Sequence, residues 1–275
     1  MAAASDDRAR SAEADKLWNE TSVDPVEIHL GKDSGYTLRA YRMSDTLPAA
    51  PASGPAEDAE QEEEVVELKE RPEREAQPDV AENPEDEDHE APPESDFLDE
   101  EEELDALDAV PEEVPLFLTR KGKLLLFRDT ESLVRYVKES DDNDLAVIEE
   151  YADLQKRIST SAIACDEDDT YELDLVTANL RGGHDSWEPE LLIKAAEIGR
   201  DLGYALRLES VVSALAPGSP LDDMDEAFRV IVDGGMRGML AKRRLRKTGA
   251  EQAAIAWRGV IAKINGAVDW RGEAE

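Results

Sequence analysis

Three stretches of the chain carry residue types that could do chemistry. Residues 181–187 read Arg-Gly-Gly-His-Asp-Ser-Trp, which places a serine, a histidine and an aspartate within three positions. Adjacent side chains diverge, whereas nucleophilic catalysis needs groups that converge from separate elements. A Gly-Gly turn with polar residues capping the next helix is the simpler account. His184 and Trp187 then stand as candidate partner contacts, and neither is assigned a catalytic role. The second stretch is Lys242-Arg243-Arg244-Leu245-Arg246-Lys247, with Arg237 one to two turns earlier. Such a cluster surrounds a helix end with positive potential and can meet phosphate or an acidic protein surface. No aromatic residues interleave for base stacking, and cations near a helix C-terminus need no special function. A solvated or locally paired face therefore comes first, then a protein contact, and nucleic acid last. One version of that protein contact is the acidic segment at 43–113 folding back on the cluster. The third is Cys165, followed by Asp166, Glu167, Asp168 and Asp169. Those carboxylates disfavour the thiolate, and the residue reads as inert.

Other chemistry lacks its residues. No Walker loop, dinucleotide glycine fingerprint, HExxH or paired-cysteine signature is present. Three separated histidines and a single cysteine make no zinc set. His29 falls on the polar phase of a strand pattern and reads as a solvent-facing side chain. The sequence therefore assigns no catalytic residue, no cofactor and no metal site.

Charge divides the chain. The formal net charge is −36, and residues 43–113 hold 29 Asp/Glu against 3 Lys/Arg, a net −26. The remainder carries only −10. With almost no aromatic or β-branched residues, 43–113 cannot bury enough surface to offset its ordering entropy and is expected to be a disordered acidic insert. A field of that sign repels phosphate backbones and anionic lipid. One cysteine excludes an internal disulfide and fits a reducing compartment. No apolar run reaches the roughly 18 residues of a membrane span, and the N-terminus lacks a signal-peptide core. A cytoplasmic location is expected.

The elements that must position these residues are legible in the periodicity. Residues 1–23 read as a flexible or partly helical segment in which Trp18 is the one large side chain able to dock. Val26, Ile28 and Leu30 alternate with polar residues, a glycine-bearing turn follows, and Tyr36, Leu38 and Ala40 alternate again, which predicts a hairpin. After the insert, residues 114–118 and 124–127 give a second hairpin. A helix over 131–138 follows, capped by Asp129 or Thr130, and then a helix over 145–158. Tyr171–Val176 fits a short helix or an extended link. From there the pattern is helical: a helix from Pro189, a short one near 211–216, one capped by Ser219-Pro220 and broken at Gly234-Gly235, then 236–247 and 251–268. The expected fold is α+β. Residues 24–42 and 114–160 form a small split antiparallel sheet with helices, interrupted by the insert at 43–113. A C-terminal helical bundle over 166–271 completes it.

Two stretches carry a family resemblance. Residues 24–42, with 117–145, resemble the N-terminal module of the actinobacterial (mycobacterial) export chaperone of the accessory SecA pathway, whose relatives are often labelled primosomal. The carrying features are the two hairpins, Ser132-Leu133-Val134 with Val137, and Asp142-Asn143-Asp144-Leu145. The helical C-terminal region is not part of the resemblance. It implies a non-enzymatic protein-binding module, a chaperone or adaptor in export with a protein client. The alternative is a nucleic-acid-associated, primosomal-like factor using the basic helix at 237–247.

Overall fold

The computed structural model describes residues 10–47 and 111–272. The disorder expected at 43–113 falls almost wholly outside them. Its two ends do not: β2 (Asp33–Met43) and β3 (Glu113–Phe117) are paired antiparallel with Met43 opposite Glu113. The Ser44 N–H donates to the Glu112 carbonyl at 2.8 Å, and the Glu112 N–H donates to Ser44 Oγ at 3.1 Å. The chain thus leaves and re-enters the sheet at neighbouring positions.

β1 (Val23–Leu30) and β2 form the first hairpin, with Val23 opposite Ala40. The later hairpin is β4 (Thr119–Arg120) with β5 (Lys123–Phe127), not 114–118 with 124–127 as expected, because β3 pairs with β2 instead; β5 meets β2 at Tyr36 and Phe127. The two hairpins therefore share one sheet. It is not purely antiparallel as expected, because β6 (Thr170–Glu172) runs parallel beside β1 and β7 (Val268–Arg271) parallel beside β5. β6 falls where a short helix or an extended link was expected, and β7 starts at the end of the stretch expected as the helix 251–268. The period of a three- or four-residue strand is too short to register in a sequence pattern.

Helices cover both faces. α1 (Ala12–Thr21), α2 (Thr130–Glu139) and α3 (Tyr151–Arg157) share one core cluster with Leu38, Leu125 and Phe127. On the other face lie α4 (Leu173–Arg181), α5 (Pro189–Ala205), α6 (Glu209–Ala214), α7 (Pro220–Asp233), α8 (Gly235–Leu245) and α9 (Ala250–Gly266). Their core takes in Ile28, Leu124 and Leu126 of the sheet. β5 is thus buried on both sides, which is why it reads as an unbroken apolar run. The helices expected as a separate bundle rest on the sheet that the N-terminal hairpin begins.

Local chemistry sets the boundaries. Asp129 caps α2 by accepting from the Ser132 N–H at 2.6 Å, and Ser219 caps α7 by accepting from the Asp222 N–H at 3.2 Å. Trp18 is buried, its indole donating to the Ala162 carbonyl at 3.0 Å, so α1 is a docked helix rather than a frayed turn. The helix expected over 145–158 is split into a 3-10 turn at Asp144–Val147 and α3. Asn143 Nδ2 donates to the Tyr151 hydroxyl at 2.7 Å across that break, and burial pushes the Tyr151 phenol up to about 12. Gly234 ends α7 at φ 78° and ψ −157°, a backbone region essentially reserved for glycine. α8 begins at once and lies close against α7. A Cβ at Gly238 would sit 3.1 Å from the Val230 carbonyl oxygen.

Candidate protein-binding site

The two stretches singled out by residue type meet. Asn179 of α4 closes the 182–187 turn: its side chain donates to the Ser186 carbonyl at 3.2 Å and accepts from the Glu188 N–H at 3.1 Å. This folds Trp187 inward. Its indole donates to the Leu180 carbonyl at 2.8 Å, and its ring lies 4.3 Å from His184 and edge-on to Phe228 of α7 at 5.8 Å. His184 Nε2 lies 2.9 Å from the Thr248 carbonyl oxygen, and Asp185 pairs with Arg246 at 3.1 Å. The turn is a bracket on the C-terminal end of α8. Ser186 Oγ donates to the Gly183 carbonyl at 3.0 Å. Serine, histidine and aspartate each face a different partner, so the turn does not assemble a triad.

Among the described residues, α8 is held on one side only. Gly238, Ala241 and Leu245 are buried. Met236, Met239 and Leu240 are 83%, 66% and 58% exposed, with Val232 of α7 51% exposed at the same end. The spacing i, i+3, i+4 puts the three α8 side chains on one face. The basic cluster continues from them. Arg237, Lys242, Arg243, Arg244 and Lys247 are exposed and, among the described residues, have no carboxylate within ion-pair distance. Arg246, bound to Asp185, is the exception in the cluster.

A second polar cluster had no signal in the sequence. Arg39 of β2 lies between the rings of Tyr41 and Tyr171, 5.2 and 5.6 Å from their centres. It donates to the Tyr171 hydroxyl at 2.7 Å and pairs with Asp169 at 3.5 Å and Asp201 at 3.6 Å. Arg10 reaches Asp169 at 2.5 Å, and the Tyr41 hydroxyl donates to Asp201 at 2.5 Å. Burial raises the carboxyls of Asp24 and Asp201 and the Tyr41 phenol. Arg39, Tyr41, Tyr171 and Asp201, with Glu197 and Arg200, line an open cleft between the sheet and α5. Its charges answer one another, so it serves as a latch joining the residues before α1, the sheet and α5. The partners lie more than a hundred residues apart, and no local motif announces them.

Cys165 is largely enclosed. Burial pushes its thiol up first, and Glu27 and Asp169 add to that, so the acidic run after it is the lesser cause of its inertness. His29 is half-buried and lies 3.1 Å from Glu27. Among the described residues, no group of three His, Cys, Asp or Glu is placed to hold a metal ion, and no helix is long and apolar enough to cross a membrane.

The family model of the SatS C-terminal domain matches residues 100–265. The chain belongs to that family. The match runs from the acidic tract through β3–β6 and into α9, so it takes in the helical region that the sequence resemblance left out. It also replaces the expected likeness to an N-terminal module with one to the C-terminal domain of SatS. A crystal structure of the SatS C-terminal domain in complex with bromine has the same fold, with a TM-score of 0.57 and 18% identity. That likeness covers 92% of this chain and 96% of the other. Among curated proteins, none matches the chain.

Proposed function

We propose that this SatS-like chain is a non-catalytic, chaperone-like protein that holds a protein client for export. The client would dock on the outward face of α8 and the adjoining end of α7. The observation that carries the reading is the exposure of Met236, Met239 and Leu240 together on a helix whose other face is fixed. Unbranched, polarisable thioethers adapt to differently shaped partners, which suits a surface that must accept more than one sequence. Family membership supports the export role, since the resemblance at 24–42 and 117–145 is to an export chaperone and the matched family is that of SatS. A cytoplasmic setting, where a client is met before export, goes with this reading. So does a solubilising part for the acidic stretch at 43–113. The bracket formed by His184, Asp185 and Trp187 would hold the face in place without touching the client.

The test uses the full chain and a permanently unfolded, fluorescently labelled test polypeptide, read by anisotropy. Replacing Met236→Ser, Met239→Ser and Leu240→Ser together is expected to weaken binding by about tenfold or more, since a few central apolar residues carry most of a contact's affinity. The circular dichroism spectrum should stay as it is, and the melting temperature should move by no more than a few degrees. Unchanged binding by the triple variant would remove this face from consideration.

A further inference from the structure

The chemistry of α8 says more about the client than that it is apolar. Along the helix, the exposed apolar residues Met236, Met239 and Leu240 occupy the first half, and Lys242, Arg243, Arg244 and Lys247 follow. At 1.5 Å per residue, the centres of the two groups lie roughly 8 Å apart along the axis. Elsewhere on the same face of the sheet, several cations pair with carboxylates of the molecule itself, while the exposed Arg258 of α9 has none within ion-pair distance among the described residues. Arg200 pairs with Asp222 at 2.8 Å and Asp225 at 2.7 Å, and Arg229 pairs with Glu197 at 3.0 Å. The α8 cations have no such partner among the described residues, Arg246 excepted. In a chain whose net charge is −36, a positive helix with no carboxylate partner among the described residues, beside an exposed apolar patch, is a local reversal of charge.

We infer that α8 recognises client segments of one composition: two or three large apolar side chains with a cluster of carboxylates within one or two helical turns of them. This rests on the proposed client-binding role and narrows it. The apolar end of the segment covers Met236, Met239 and Leu240, while its carboxylates lie over Lys242, Arg243, Arg244 and Lys247. Charge pairing steers the encounter and fixes the register, and apolar burial supplies the persistence. A basic or uncharged unfolded segment meets the same apolar patch without register, and a basic one is repelled. An anionic membrane surface is a different occupant, and α8 suits it less well. Its inner face is already spent on Gly238, Ala241 and Leu245, and its outer apolar side chains include no aromatic residue of the kind that anchors interfacial helices.

The decisive measurement titrates full-length protein into labelled 16-residue peptides at low and moderate salt. One peptide carries Phe and two Leu beside four Glu. Three others replace the Glu by Gln, replace the Glu by Lys, or keep the Glu and replace the apolar residues by Ser. The acidic–apolar peptide is expected to bind at least about tenfold more tightly than the Gln form, with the gap shrinking as salt rises. Both α8 variants, Lys242→Glu/Arg243→Glu/Arg244→Glu and Met236→Ser/Met239→Ser/Leu240→Ser, should lose that advantage. If the Gln peptide binds equally well, the charge selectivity is refuted while the apolar docking face survives. If no peptide binds but the unfolded test polypeptide is still held, the segment chemistry is refuted and the client-binding role is not. If neither is held, the client-binding role itself falls. Tighter, α8-dependent binding to phosphatidylglycerol vesicles or to duplex DNA than to the acidic–apolar peptide would also overturn it, in favour of that occupant.

Discussion

The turn at 182–187 and the outer face of α8 lie side by side, yet their side chains are in opposite conditions. In the turn, Trp187 is buried against His184 and Phe228, and each polar side chain has found a partner. On α8, apolar side chains stand in solvent and cations lack carboxylates among the described residues. A protein stabilises itself with the first arrangement. The second, exposed apolar surface rimmed by charge, is of the kind found at interaction sites. Under the proposed client-binding role, the difference separates residues that hold the fold from residues offered to a partner, inside the set that residue type alone had grouped together.

The sharpest way to break this division is at Trp187. Truncating a buried tryptophan removes its contacts and leaves a cavity, so Trp187→Ala is expected to cost about 3–5 kcal/mol, read as a shift in urea midpoint at constant slope. The α8 triple serine variant should move stability by no more than about 0.5 kcal/mol per site, as exposed substitutions do. A stable Trp187→Ala protein that fails to bind client would transfer Trp187 to the offered set and erase the contrast.

A smaller effect separates the two kinds of charge. Asp225 is 5% exposed and joins Arg200 to Arg229. Asp225→Ala leaves both cations without it, although Arg200 keeps Asp222 and Arg229 keeps Glu197. A loss of roughly 2 kcal/mol follows, below the full penalty for breaking a buried pair because both arginines reach solvent. Lys242→Ala, in contrast, removes no pair and should leave the melting temperature unmoved. Equal losses at both positions, measured by thermal denaturation at matched ionic strength, would show that the α8 cations are structural after all.

How much of this was legible depends on range. Asp129 and Ser219 announce helix starts within four residues, and the Gly234-Gly235 break marks the α7–α8 corner, so those boundaries follow from local chemistry. The hairpins at β1–β2 and β4–β5 show their alternation or apolar runs directly. The rest is encoded in meetings between distant residues. β6 and β7 earn their place only because a strand edge is waiting for them. Arg39 looks like a polar strand residue until Asp169, Tyr171 and Asp201 arrive from far along the chain. Burial of Trp187 and exposure of Met236 could not be told apart either. Both are large apolar residues near glycines, and only the packing of α7 against α8 decides which is covered.

The mildest test concerns a pair that is answered at one pH and not at another. His29 lies 3.1 Å from Glu27, whose hydrogen bond raises the imidazole pKa above its ordinary value despite partial burial. A raised folded-state pKa contributes stability that is fully present below the unfolded value near 6.5 and lost as pH rises through the folded one. The side chains are partly exposed, at 33% and 22%, so solvent screening keeps the contribution under about 1 kcal/mol. Stability of the native chain relative to His29→Gln should therefore be greatest near pH 5.5 and vanish above about pH 8. Lysine and arginine keep their charge across that window. Client binding through α8 should be flat from pH 5.5 to 8 while the His29 difference decays. A binding curve that tracked the His29 titration would mean that the sheet surface around His29, rather than the α8 face, is where the partner is read.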